Sequence, residues 1–194
     1  MKMSAITIAL VCGIALTPVR GAESAPSLGL RAGFEPVTGT GPLSRTFPIW
    51  LEGRYRVSGL SFGAYFQYAP AGVGRFPFAP CGTTTSCSGH VTRLGAEILY
   101  DVLPEARIVP WVGVGAGLGW TRVSSSDFPL VQGNTTIIVP GVTATESQFN
   151  FTLQAGGDVR VSGWFATGPY VAVTQATRQS GTSFQFGLRS TFDL

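Results

Sequence analysis

His90 is the single histidine of a 194-residue chain. Acyl-transfer chemistry at an imidazole needs a serine within hydrogen-bond reach and an acid orienting the other ring nitrogen. Ser86 and Ser88 are close in sequence, but they fall in a loop, and no catalytic motif surrounds His90. Cys81 and Cys87 are six residues apart in APCGTTTSCSG. Two thiols and one imidazole are one ligand short of a closed zinc site. The run GVGAGLG, Gly113 to Gly119, lacks the spacing of a dinucleotide fingerprint and has no helix after it. The sequence therefore offers no catalytic set, no metal site and no cofactor site. Its remaining chemistry is a thiol pair and a set of regularly spaced charges.

Those charges must be positioned by strands. In PWVGVGAGLGW, Pro110, Val112, Val114, Ala116, Leu118 and Trp120 alternate with glycines after Trp111. A period of two is the signature of a β-strand. One face is apolar and the other has almost no side chains, and a bare face marks close approach by something bulky. Charged residues make up only 12% of the chain, with Gly 26 and Pro 13 spread throughout. No apolar run after the N-terminus is long enough for a spanning helix. Hydrophobicity spread over alternate residues fits a transmembrane β-barrel.

Residues 1–22 read as a secretory signal. Lys2 gives the positive start, Ile6 to Leu16 the short apolar core, Pro18 the break, and Gly21 and Ala22 the small residues near the cut. Residues 23–194 then form one domain. From Glu23 onward eleven arginines face ten acids, so the basic pI is no argument for nucleic acid.

Eight alternating segments follow, at about 27–35, 47–57, 60–68, 91–100, 110–120, 148–161, 165–175 and 183–194. Residues 37–46, 69–90 and 123–146 read as the long connections, with strand character expected at 135–139. Ser58-Gly59, residues 103–106 and Ser162-Gly163 are short turns. Long and short connections alternate as in an outer-membrane meander, with short turns and both termini periplasmic and long loops outside. The fold class is thus all-β, an eight-stranded antiparallel up-and-down transmembrane barrel. Tyr68, Tyr100, Trp120 and Phe192 are placed for interfacial girdles.

Arg31, Glu35, Glu52, Arg54, Arg56, Arg93, Glu97, Asp158, Arg160, Arg189 and Asp193 all share the inward parity. On lipid, each arginine would cost about 2–4 kcal/mol at the midplane. In a lumen just wide enough for side chains they can pair with one another and with Tyr65, Gln67, Gln154 and Gln185. The fifth-strand glycines would make room for arginines opposite. An ion path is the competing reading of the same charges; a packed polar plug is the simpler one.

On the signal, the eight-strand meander and the P-aromatic-x-G-x-G strand at Pro110 to Gly115, the chain resembles the small eight-stranded outer-membrane proteins of Gram-negative bacteria: the OmpA transmembrane domain, OmpX and the opacity-type barrels. The resemblance runs from about residue 27 to the end, and no peptidoglycan-binding domain is expected after it. Such barrels end in an aromatic residue; here the last residues are Phe192-Asp193-Leu194. The resemblance implies a non-enzymatic role in membrane structure or surface interaction. The alternatives it leaves are a narrow channel for small or hydrophobic solutes and a lipid-A-modifying barrel enzyme. Implied partners are outer-membrane lipid and lipopolysaccharide, periplasmic chaperones and the barrel-insertion machinery, and an extracellular partner reached through the long loops. No nucleic acid is expected.

A loop that folds in the periplasm and ends at the surface stays in an oxidising compartment. A disulfide between Cys81 and Cys87 is therefore expected, closing a short ring with Gly82 and three threonines.

Overall fold

The computed structural model describes residues 24–36, 43–73, 81, 86–132, 135–177 and 182–194. The expected signal segment, 1–22, lies outside the described residues, as do 37–42, most of 74–85 and 178–181. Eleven strands are present: β1 Ala25–Pro36, β2 Leu43–Thr46, β3 Ile49–Val57, β4 Leu60–Val73, β5 Cys87–Asp101, β6 Ile108–Ser125, β7 Phe128–Gln132, β8 Thr135–Val139, β9 Thr143–Arg160, β10 Phe165–Ala176 and β11 Thr182–Asp193.

Nine of them form one antiparallel sheet, which closes on itself where β1 pairs with β11 from Ser27↔Asp193 to Phe34↔Phe186. β2 and β3 occupy one position of the barrel, since both pair with β1 and with β4. Pro48 lacks the N–H a continuous ladder needs, so the strand is interrupted there. The ladder is bridged by hydrogen bonds from Gly33 N to the Pro48 carbonyl and from Phe47 N to the Pro70 carbonyl, each 3.0 Å. The barrel therefore has eight strand positions. Closure removes the exposed edges that an open sheet would present.

Both chain ends of the barrel lie at the same end, together with the three short turns. The tightest, Ser58-Gly59, joins β3 to β4 with φ of 49° and 85°. Both values are positive, as a primed hairpin turn demands, and glycine takes the second without strain.

The strands at the loop end are longer than alternation alone predicts. Residues 69–73 and 87–90 are strand, not loop. So are 43–46, 123–125 and 143–146. The expected strand at 135–139 is present, as β8, and it pairs with β7 in a separate hairpin beyond the barrel.

Faces are inverted relative to a water-soluble protein. Leu51, Leu153 and Leu188 are 58%, 63% and 63% exposed, whereas Arg31 is 0% and Glu97 2% exposed. In water, so continuous an apolar exterior would mark an interaction surface. The packed interior holds the polar residues, and that is where a site must be sought.

Candidate functional site

The lumen is filled in tiers, running from the loop end to the end with the termini. The uppermost tier is apolar. Leu43, Ala69, Val91 and Val123 form a buried cluster inside the mouth, with Ala71, Val73, Cys81 and Cys87 packed against it. Cys81 and Cys87 are disulfide-bonded, with Cα atoms 5.6 Å apart. The pairing thus holds Cys81 against the start of β5 at the mouth of the barrel. Maleimide is expected to leave the unreduced, mature protein unlabelled and to add two labels after reduction; two labels without reduction would disprove the bond. Replacing both cysteines by serine should leave barrel unfolding nearly unchanged, because a short ring removes little unfolded-chain entropy.

Beneath the apolar tier, Arg93 pairs with Glu35 at 2.9 Å and donates to the Gln67 Oε1 at 3.1 Å. Thr46 donates to the second Glu35 oxygen at 2.9 Å. The middle tier centres on Arg31. Its guanidinium pairs with Glu52 and Glu97, the latter at 2.9 Å, and donates to Gln154, whose amide donates to Glu97 at 2.9 Å. Trp50, Trp111 and Tyr170 place their rings 5.1, 5.5 and 5.6 Å from the same guanidinium. A desolvated cation over aromatic faces gains beyond its ion pairs.

The next tier is held by Glu52 from above. Arg54 lies 3.2 Å and Arg189 3.9 Å from it, and Arg189 reaches Asp158 at 3.3 Å. The Trp111 indole N–H donates to Asp158 at 3.1 Å, while Arg189 stacks 4.3 Å over the Trp111 ring. The last tier is more open. Arg56 lies 3.5 Å from Asp101 and 3.6 Å from Asp193, around a cavity of about 230 Å³. Arg160 lines that cavity but donates to the Pro104 carbonyl instead of pairing with an acid.

Six of the eleven expected inward charges, Arg31, Glu52, Arg54, Glu97, Asp158 and Arg189, interlock in one network. Arg93 with Glu35 and Arg56 with Asp193 form separate pairs above and below it, and Arg160 turns to a backbone carbonyl. Asp101, which the sequence reading did not place inside, joins the lowest group. Gln67 joins the Arg93 pair and Gln154 the network. Gln185 instead donates to the Tyr170 hydroxyl. Tyr65 packs against Trp50 in a tilted pair, with ring centroids 4.6 Å apart.

The fifth-strand glycines face different side chains from those expected. A Cβ at Gly117 would meet the Tyr65 hydroxyl, and one at Gly113 the end of Leu99. At Gly119 an arginine is among the nearest neighbours, with Arg93 Cγ 3.4 Å away. The close approach is by a tyrosine and a leucine; arginine stems contribute at one end.

Two components escaped the sequence pattern. Trp111, Tyr170 and Leu99 lie inside although they are apolar, and the apolar tier at the mouth draws Leu43, Ala69 and Val123 from segments assigned to loops, with Val91 from the start of a strand. Strand parity carried the signal for both: Trp111 has the parity of Gly113, and Val91 that of Arg93.

His90 faces outward near the loop end, with its ring 5.6 Å from that of Tyr68. Among the described residues, no acid hydrogen bonds to it, and no cluster of metal-ligating side chains is present. The girdle residues Tyr68 and Trp120 are exposed on the outer face. At the opposite end, Phe192 packs on Phe165 at 5.1 Å.

No protein-family model and no curated protein matches this sequence. Solved structures do. The chain is similar to Neisserial surface protein A, with a TM-score of 0.60 at 13% identity over 89% of this chain and all of that one. It is similar to a major outer membrane protein from Thermus thermophilus, with a TM-score of 0.61 at 10% identity over 88% of this chain and 100% of that one. It is also similar to Ail, the attachment invasion locus protein of Yersinia pestis, solved in complex with the heparin analogue sucrose octasulfate. There the TM-score is 0.58 at 11% identity over 89% of this chain and 100% of that one. The fold is that of the small eight-stranded outer-membrane barrels.

Proposed function

We propose that this chain is an integral outer-membrane protein with a closed lumen, acting as a structural element and surface platform and not as a pore or an enzyme. The carrying observation is the middle tier. Arg31 is wholly buried between Glu52 and Glu97 and ringed by Trp50, Trp111 and Tyr170, so the cross-section is filled by interlocked side chains. An ion would have to break several buried pairs to pass, and breaking one such pair costs about 3–5 kcal/mol.

The apolar outer face supports membrane residence. Every barrel strand position is long enough to cross, since a tilted strand needs only about 9–11 residues. The short turns, and so both termini, face the periplasm in this proposal, and the long connections face outward. The β7–β8 hairpin then stands outside the cell. It exposes Ile137 and Ile138, 48% and 70% accessible, as a surface for an extracellular partner. Folding would pass through periplasmic chaperones and the insertion machinery, with outer-membrane lipid and lipopolysaccharide as surroundings.

Planar-bilayer recording tests the closed lumen. The wild-type protein is expected to insert without steady conductance of porin size. Such conductance would overturn the plug and establish the channel.

A further inference from the structure

We infer that the outer wall at the loop end carries a binding site for the phosphate groups of an outer-leaflet glycolipid, built on Arg122 and Arg45. The inference rests on the membrane reading above and adds a specific ligand to it.

The barrel pairs its inward arginines with acids, with Arg160 turned to a backbone carbonyl. Two strand arginines do not follow that pattern. Arg45 and Arg122 are exposed on the outward face, and neither has an ion-pair partner among the described residues. Both sit near the loop ends of their strands, Arg45 opposite Gly72 and Arg122 opposite His90. Outward arginine is tolerated near an interface and costly only at depth.

Their surroundings select a lipid over a soluble anion. Directly below Arg122 on the same face are Trp120 and then Leu118, both exposed. Beside them, Thr92 opposes both Trp120 and Tyr68, and the Tyr68 ring contacts His90. A cation above an aromatic belt above an aliphatic wall matches, in order, a phosphate, a sugar or glycerol layer and acyl chains. Guanidinium binds phosphate through two parallel N–H donors, which a freely hydrated lysine does not. β4 and β5 separate Arg45 from Arg122, so the two lie on the order of 15 Å apart. One phosphate cannot reach both. A disaccharide phosphorylated at both ends can, and that chemistry distinguishes lipopolysaccharide from a phospholipid with a single phosphate.

The test is native mass spectrometry of the full chain purified from outer membranes in mild detergent, with purified lipid A as the added probe. Wild-type protein is expected to retain lipid A, and the Arg45→Ala/Arg122→Ala double variant to bind it about tenfold less, in line with losing charge-assisted contacts. Arg45→Lys/Arg122→Lys should recover part of the difference. Equal retention by the double variant would overturn the site. Equal binding of dephosphorylated lipid A, or equal competition by phosphatidylglycerol, would overturn the diphosphoryl recognition. Heat-dependent gel migration, run on the same samples, reports the folded barrel separately. Its absence in the wild type would refute the membrane reading itself.

Discussion

Arg31→Met is expected to destabilise the barrel by about 3–5 kcal/mol, the cost of leaving a buried charge without its partner. The loss falls unequally on the two acids. Glu52 keeps Arg54 at 3.2 Å and Arg189 at 3.9 Å. Glu97 keeps only the Gln154 amide, at 2.9 Å, among the described residues. Methionine fills much of the volume between Trp50, Trp111 and Tyr170, so little of the effect is a cavity. The urea midpoint in lipid vesicles should therefore fall for Arg31→Met. It should recover in large part when Glu97→Gln is added, because Glu97 is the acid left without a cation and removing both partners of a buried pair costs far less than removing one. Glu52 stays, since it still holds Arg54 and Arg189. An unchanged midpoint in the single variant would mean that the charge column contributes nothing to holding the lumen closed.

Why these charges were legible is a matter of medium. Lipid on one side and a narrow lumen on the other impose opposite demands on alternate residues. Arg31, Glu52, Arg93 and Glu97 therefore stand out against Leu30, Leu51, Leu94 and Ile98. Beyond the lipid the contrast disappears. Thr143 to Ser147 lacks the alternation of apolar and polar residues yet continues the ladder of β9, pairing with Trp120 to Ser124 of β6. At the mouth the contrast reverses, with Val91 and Val123 turned inward. A rule that requires apolar out and polar in must stop each strand where the membrane stops, and that is why residues 69–73 and 87–90 read as loop.

The interior aromatics failed the same rule for another reason. Trp111 satisfies its indole N–H on Asp158 and offers its faces to Arg31 and Arg189. It is inside as a partner for charge, a role that hydropathy does not encode. The disulfide needed no side-chain geometry, since compartment and spacing sufficed for Cys81 and Cys87.

Gly95→Val should cost the fold at least as much as ordinary overpacking, about 1–3 kcal/mol, and Gly115→Ala should fall within about 1 kcal/mol of wild type. Both glycines lie on the inward face of neighbouring strands, so composition alone gives no reason for them to differ. Geometry does. Tyr65 is directly opposite Gly95, and Gly95 is directly opposite Gly117. A Cβ at Gly95 would meet the Ala116 carbonyl oxygen and would lie 2.6 Å from the Tyr65 hydroxyl and 2.7 Å from Cζ; one at Gly117 would meet the Leu94 carbonyl oxygen and lie 2.9 Å from the same hydroxyl. The ring is backed by Trp50, tilted against it with centroids 4.6 Å apart. At Gly115 a Cβ would lie 3.3 Å from the Ala96 carbonyl oxygen, a close contact relieved by a shift of a few tenths of an ångström, and 3.6 Å from Tyr65 Cε1 and Glu97 Cβ, which is ordinary contact. Alanine there also lowers the entropy of the unfolded chain, offsetting part of any crowding. The coupling can be isolated with Gly95→Ala, Tyr65→Ala and the pair together. Truncating Tyr65 removes the side-chain part of the clash and leaves the Ala116 carbonyl, so the double variant should be more stable than the sum of the single effects by about 0.5–3 kcal/mol while staying below Tyr65→Ala alone. Equal urea midpoints for Gly95→Ala and Gly115→Ala, or strict additivity with Tyr65→Ala, would show that the bare glycine face serves something other than the seat of this tyrosine.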